Sequence, residues 1–293
     1  MSPRLLLVLA AILFSTGGAA IKAVEFSGWQ IASLRSGIAA LALLFVLPEA
    51  RRGWGWRPAL VGITYAAAMV LFVLANRLTT SAHAVFIQST SPVYLVFLGP
   101  LLLGEATRRR DLLFLLPMLA GLSLFLLGPQ APLRTAPDPV HGNLLAAVSG
   151  LCWAFTTVGL RWLGTGRAAQ GTPMAAMVIG NLLAFGCVLP MALPLHTGVG
   201  ASNWLVLLYL GVFQIALPYS FIARAIGRVR ALDVALIFLL EPALNPLVTW
   251  LVHREVPGAW PLVGALVIFG TTVARAMADA RLRRTLDPPA GGA

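Results

Sequence analysis

The chain alternates long apolar stretches with short polar breaks. The apolar stretches cover approximately 4–23, 30–47, 58–77, 80–103, 111–128, 141–164, 173–194, 203–225, 229–252 and 258–280. A helix needs about 20 mostly apolar residues to cross the hydrocarbon core of a bilayer. In lipid, each segment must satisfy its own backbone hydrogen bonds, so stretches of this length predict helices rather than open strands. The breaks carry Gly, Pro and charge, as at 48–53 and 108–111. The longest holds Pro129, Pro132, Pro137 and Pro139, and predicts an extended linker over 129–140. The expected fold is therefore all-α integral membrane, with ten transmembrane helices. Helices 1–5 fall within 1–128, helices 6–10 within 141–280, and a cytoplasmic tail within 281–293. The first stretch follows Arg4 and ends in small residues, as a signal peptide would. It is counted as a helix because removing it would leave the first half one helix short of the second.

One stretch recurs. Residues 80–105 return as 230–255, with Pro92 on Pro242 and Glu105 on Glu255 at the same spacing. Ile87 falls on Ile237 and Leu101 on Leu251. In the same sense, Leu13-Phe14-Ser15-Thr16 before Lys22 lies in register with Cys152-Trp153-Ala154-Phe155 before Arg161. A chain that repeats half of itself reads as two related halves. Five helices per half is an odd number, so the second half enters the membrane from the opposite side and the repeats are inverted. Secondary transporters use such repeats to open a central site to alternate sides. Pro92 and Pro242 each remove a backbone donor near mid-membrane and predict helix breaks. In helix 6, Gly142, Ala146, Gly150 and Ala154 stand four apart, which lets a neighbouring helix approach closely.

Composition agrees. Of 293 residues, 59% are hydrophobic and only 11% charged, with a mean hydropathy of +0.86. Soluble domains have about a quarter charged residues. The net charge of +11 comes mostly from arginines at segment ends, a topology signal rather than a nucleic-acid stripe. With the N-terminus in the cytoplasm, the inside breaks hold Arg51, Arg52, Arg57, Arg108, Arg109, Arg110, Arg161, Arg167, Arg224, Arg228 and Arg230. Arg4, Arg275, Arg281, Arg283 and Arg284 join them at the termini. Outside are only Lys22, Arg77, Arg134 and Arg254. This bias predicts both termini in the cytoplasm, in a bacterial-type inner membrane. Cys152 and Cys187 lie inside apolar segments and predict no disulfide.

Ionisable groups inside the membrane mark the functional interior. Glu241 lies about twelve residues into helix 9, where a charge costs about 2.5–3.5 kcal/mol. It is a candidate proton carrier or a carboxylate for a substrate amine. The alternative is that it bonds to backbone freed by Pro242. Asp233, Ile237, Glu241, Asn245 and Val248 share one face of helix 9. His83, Ile87, Ser91 and Tyr94 share the matching face of helix 4, with Gln88 and Thr90 beside it. The register sets His83 against Asp233 and Ser91 against Glu241. His83 and Asp233 stand near their helix ends and are gate or proton-coupling candidates. Arg35, about 9 Å into helix 2 at 1.5 Å per residue, is a candidate carboxylate contact that could also snorkel outward. Further substrate-binding candidates are Ser15, Thr16, Tyr65, Asn76, Trp153, Thr156, Asn181, Gln214 and Tyr219. Trp153, Tyr94 and Tyr219 could stack on a flat or apolar substrate.

No Walker A loop, His-x-x-x-His, Cys-x-x-Cys, Gly-x-Ser-x-Gly or selectivity-filter repeat occurs. No cofactor or metal is therefore expected. The partners expected are a small-molecule substrate, membrane lipids and protons.

On Pro92, the closing Leu103-Gly104-Glu105 and the Glu241-Pro242 pair, the chain resembles the EamA-type members of the drug/metabolite transporter superfamily. The second copy departs from the pattern, closing in His253-Arg254-Glu255. Arg35 resembles the family's arginine in helix 2. The resemblance implies a cavity between helices 1–4 and 6–9, with helices 5 and 10 peripheral. It also implies amino acids or similar amphipathic metabolites as substrates. The expectation is secondary transport by alternating access, most simply export. Efflux of cationic drugs, an intramembrane lipid enzyme and a non-transporting partner or sensor remain as alternatives.

Overall fold

In the computed structural model, residues 1–124, 136–165, 171–195, 198–253 and 259–286 are described. The helices are α1 Pro3–Phe14, α2 Gly17–Ala23, α3 Gly28–Val46, α4 Trp56–Leu78, α5 Ser81–Gln88, α6 Ser91–Leu98 and α7 Arg109–Leu124. They continue with α8 Pro139–Thr165, α9 Pro173–Ala192, α10 Ala201–Gly211, α11 Leu217–Ala225, α12 Ala231–Phe238, α13 Leu240–His253 and α14 Ala259–Leu286. No strand occurs among the described residues. Among the described residues, seven helices are long and apolar enough to cross a membrane: Pro3–Ala23, Gly28–Val46, Trp56–Leu78, Ser81–Leu103, Pro139–Thr165, Pro173–Ala192 and Ala201–Arg228. The remaining expected spans, 111–128, 229–252 and 258–280, coincide with α7, with α12 and α13, and with α14.

Local chemistry sets the helix starts. Ser27 and Gln30 form a reciprocal capping box, with backbone-to-side-chain distances of 3.2 and 3.1 Å. Thr80 caps α5 and Thr172 caps α9. Proline occupies the first turn of α1, α6, α9 and α11, where no helical donor is needed. Two sequence boundaries change. Pro139, expected in the linker, begins α8, and α14 runs to Leu286, into the expected tail. The rest of the linker up to residue 135 lies outside the described residues, as do Arg167, Arg254, Glu255 and the last residues of the tail.

Both prolines sit just past helix breaks. The break between α5 and α6 falls at Ser89 and Thr90, and that between α12 and α13 at Leu239. Across the first, Thr90 N–H bonds the Ile87 carbonyl at 3.2 Å and Val93 N–H the Thr90 carbonyl at 2.9 Å. Of two further interruptions, one carries no proline and the other stands just before Pro218, the second residue of α11. α1 gives way to α2 at Ser15 and Thr16, before Gly17 and Gly18. α10 passes through a π-helical stretch, Val212–Ala216, into α11. Asn245 Nδ2 donates to the Ser15 carbonyl at 3.2 Å, satisfying an acceptor at the first of these breaks.

The helices pair across the two halves. α1 packs on α11 while α8 packs on α4; α3 meets both α9 and α10, and α9 meets α4; α7 packs on α14. Exchanging corresponding helices maps α1–α11 onto α8–α4 and α3–α10 onto α9–α4, and leaves α3–α9 and α7–α14 unchanged, as two inverted halves would. The small face of helix 6 lets two neighbours come close. A Cβ on Gly150 would stand 2.9 Å from the Gln88 carbonyl oxygen, and one on Gly142 would stand 2.7 Å from Thr79 N.

The arginine-rich end is tied by ion pairs. Glu105 accepts from Arg161 Nε at 2.7 Å and from the Ala231 N–H at 3.0 Å, which caps α12. Asp111 accepts from Arg230 at 3.0 Å, Arg275 at 3.2 Å and the Arg108 N–H at 3.0 Å. Arg275 also pairs with Asp233.

Candidate functional site

A small cavity lies where the broken helices converge. Its apolar wall is Phe14, Met69, Phe72, Trp153, Ile215 and Tyr219, and its polar groups are Arg35, Gln88, Gln214 and Glu241. Breaks bring these groups here. Phe14 ends α1, Gln88 ends α5, Gln214 sits in the π-helical stretch before α11, and Glu241 opens α13. Other cavities are differently placed. One between Arg4, Asp233 and Arg275 adjoins the ion pairs. The roomiest of the three is a groove between α4, the end of helix 4 and α8, lined by half-exposed Leu60, Leu102 and Phe155. Of these three, the central one joins opposite charges to aromatic rings.

Arg35 is 1% exposed, so the expected outward snorkelling is corrected. Its residue lies mid-way along α3, and two inward acceptors replace the water it would otherwise seek. Nη2 donates to the Met69 carbonyl at 3.1 Å and Nη1 to Gln214 Oε1 at 3.4 Å. Nε is buried without a hydrogen-bond partner. Glu241 makes no hydrogen bond or ion pair among the described residues. Gln88 Nε2 donates to Ser149 Oγ at 2.7 Å, and Ser149 Oγ donates to the Ala68 carbonyl at 2.8 Å.

The rings form one cluster. Tyr219 meets Phe14 at 5.1 Å, Tyr65 at 4.8 Å and Trp153 at 6.0 Å between centroids, and Phe238 joins Phe14 at 5.7 Å. Tilted and edge-on rings at these distances are the favourable arrangements. Tyr219 OH donates to Met69 Sδ at 3.3 Å, and Tyr65 OH accepts from Asn181 Nδ2 at 2.9 Å.

Of the residues singled out in the sequence, Arg35, Gln88, Trp153, Gln214, Tyr219 and Glu241 line this cavity. Several others are engaged elsewhere. The hydroxyls of Ser15 and Thr16 donate to the carbonyls one turn back, Ile12 and Leu13, at 2.7 Å each. Asn76 accepts from Ser81 Oγ at 2.7 Å, and Thr156 bonds Thr64 at 3.1 Å and the Cys152 carbonyl at 2.8 Å. Tyr65 and Asn181 support the ring cluster from behind. Ser91 is buried in the first turn of α6, and Tyr94 packs in a separate apolar cluster with Leu95 and Leu115.

The continuous faces expected on helices 4 and 9 are corrected, because each helix breaks and the periodicity restarts. Only Glu241 of the helix-9 face reaches the cavity. Asp233 and Ile237 border the cavity beside the ion pairs, and Asn245 serves the Ser15 carbonyl. His83 Nδ1 lies 2.8 Å from Thr80 Oγ1, within its own helix cap. Residues missed in the sequence are Phe14, Met69, Phe72, Ile215 and the supporting Ser149. Single apolar residues in apolar helices carry no signal. Ser149 stands among the small residues of helix 6, and that placement was its only clue.

Comparison with known proteins gives three results. The model of the EamA-like transporter family matches residues 1–127 and again 140–274. The threonine/homoserine exporter RhtA of Escherichia coli (strain K12) is 31% identical over 155 residues, 52% of this chain and 50% of that protein. The chain thus aligns with about half the length of the curated relatives it matches first. An uncharacterized transporter of Archaeoglobus fulgidus is 28% identical over 273 residues, 92% of this chain and 94% of that one. A solved crystal structure superposes with a TM-score of 0.74 at 20% identity, covering 96% of this chain and 98% of that chain, a likeness of fold.

Proposed function

Because the chain belongs to the EamA-like transporter family, we propose that it is a secondary transporter exporting amino acids or similar small amphipathic metabolites. The observation that carries this reading is the central cavity, where Arg35 and Glu241 share one wall system with aromatic rings. A buried ionisable residue inside a membrane protein marks a substrate or ion path. The partial match to an exporter of threonine and homoserine supports the amino-acid class. The exchanging helix contacts support alternating access, in which the cavity opens to one side and then the other. The halves are 1–128 and 141–280. The arginine bias supports an inner membrane with both termini cytoplasmic. Export uses no bond-making chemistry, so the protein acts as a carrier rather than an enzyme.

Glu241 is the proton-coupling residue in this reading, since it is the acid lining the cavity. Asp233 and His83 serve instead as gate elements, held in the ion pairs and in the helix cap. Ser91 and Asn245 position the broken helices, and Pro92 and Pro242 set the breaks.

The test is flux from reconstituted liposomes preloaded with amino acids, nucleobases and cationic dyes, with and without an imposed pH gradient. Release of amino acids, accelerated by the gradient and made gradient-insensitive by Glu241→Gln, is the expected result. Release of dyes alone would replace it with multidrug efflux.

A further inference from the structure

We infer that the central cavity is a two-pole receptor for the free α-amino acid zwitterion, with Arg35 and Gln214 as the carboxylate pole and Glu241 and Gln88 as the ammonium pole. This deepens the export reading and rests on it. The polarity of each pole follows from hydrogen bonds on the far side of the groups concerned.

Ser149 has one hydroxyl proton. The Ala68 carbonyl can only accept, so that proton goes there, over 2.8 Å. Towards Gln88 the Ser149 oxygen must therefore accept, which turns the Gln88 NH₂ to it at 2.7 Å. Its carbonyl Oε1, an acceptor, is left unspent, along with the second N–H of the bonded NH₂. On the other side, a guanidinium can only donate. Arg35 therefore occupies one lone pair of Gln214 Oε1, and both N–H groups of the Gln214 amide are unspent. The residues lining the cavity thus include two acceptors, Glu241 and the Gln88 carbonyl, and two donors, Arg35 and the Gln214 amide.

The two charges do not neutralise one another. Glu241 has no ion pair among the described residues, while Arg35 Nε is buried with no acceptor. A buried donor without a partner is costly, the more so when it is charged. A ligand carrying both a carboxylate and an ammonium satisfies both ends at once; an amine or an acid alone leaves one of them bare. Sites built on polar pairing reject ligands that lack the matching group far more strongly than apolar sites reject a misfit. Phe14, Trp153 and Tyr219 then enclose the substrate side chain. Ser149, which touches Gln88 and not the cavity, is a positioning residue.

The experiment is equilibrium dialysis of the purified full chain with radiolabelled L-threonine, competed by three analogues: its carboxamide, its decarboxylated amino alcohol and its α-hydroxy acid. Binding is read separately from flux, so failed export and a failed two-pole site are told apart. At least thirty-fold weaker competition by every analogue is expected. An analogue within about three-fold of the amino acid, or no L-threonine binding, would overturn the inference even if flux persists. Ser149→Ala supplies the second arm and keeps both charges in place. It should weaken L-threonine and the amino alcohol about ten-fold and leave the hydroxy acid unchanged. Equal loss for all ligands would show that Ser149 only supports the fold and would remove Gln88 from the ammonium pole.

Discussion

At the scale of single residues, Arg35 fixes what the cavity can hold. Two of its three nitrogens are spent on a backbone carbonyl and a glutamine, in directions a planar fork can serve together. Lysine keeps the charge but not the fork. Arg35→Lys is therefore expected to fold, retain helix content and raise the substrate KM at least ten-fold. Flux at varied substrate concentration checks this, and an unchanged KM would remove Arg35 from substrate contact. Asp111 makes a different prediction. It is buried and accepts from the Arg108 N–H and from the Arg230 and Arg275 guanidiniums. Asp111→Asn should cost roughly 3 kcal/mol at neutral pH, since it leaves Arg230 without its carboxylate and Arg275 with Asp233 alone. Thermal unfolding of the variant beside the parent checks this. Legibility divides on the same lines. Glu241 and Arg35 stood out because charge in an apolar helix is rare. The direction in which Arg35 points was not legible, because Met69 and Gln214 reach it only after three helices pack.

At the scale of elements, the helix breaks decide which side chains meet. Pro92 and Pro242 announced two of them in the sequence, since a proline cannot donate to the preceding turn. Pro218 marks the π-helical stretch before α11 in the same way, since it cannot donate to the Gln214 carbonyl, but it lies outside the repeated stretch and no break was drawn there. A face drawn at helical spacing therefore failed where a helix restarts, as for Asp233 and Glu241. The break in helix 4 leans on α8 at Gly150, whose missing side chain admits the Gln88 carbonyl. Gly150→Ala would place a Cβ 2.9 Å from that backbone oxygen, so α5 must retreat or α8 must shift. Overpacking of this kind costs about 1–3 kcal/mol. A lower unfolding temperature together with weaker substrate binding is expected, because Gln88 moves with the carbonyl. Lower stability with unchanged binding would show that the α5–α8 contact does not position Gln88.

At the scale of the whole molecule, the two ends are closed by matching cations. In the sequence register Lys22 corresponds to Arg161. Lys22 Nζ donates to the Thr79 carbonyl at 3.0 Å, just past the end of α4. Arg161 donates to the carbonyls of Ile226 and Gly227, just past the end of α11. Each cation thus meets the carbonyl-rich end of a helix, where the macrodipole favours positive charge. Arg161 also holds Glu105, which caps α12, so the arginine-rich end is fastened through one glutamate to the broken helix that carries the Glu241 side of the cavity. Loosening one end favours the state open to that end, because a change shifts a two-state equilibrium only by its difference between the states. Arg161→Ala and Lys22→Ala should therefore act in opposite directions. The readout is labelling of a cysteine placed at Gln88 in a chain whose Cys152 and Cys187 are replaced, by a membrane-impermeant maleimide applied from either face. Arg161→Ala should speed labelling from the arginine-rich face several-fold and slow it from the other, and Lys22→Ala should do the reverse. If both substitutions sped labelling from both faces, the ends would be independent plugs over a pore, and the reciprocal closure required of a carrier would be lost.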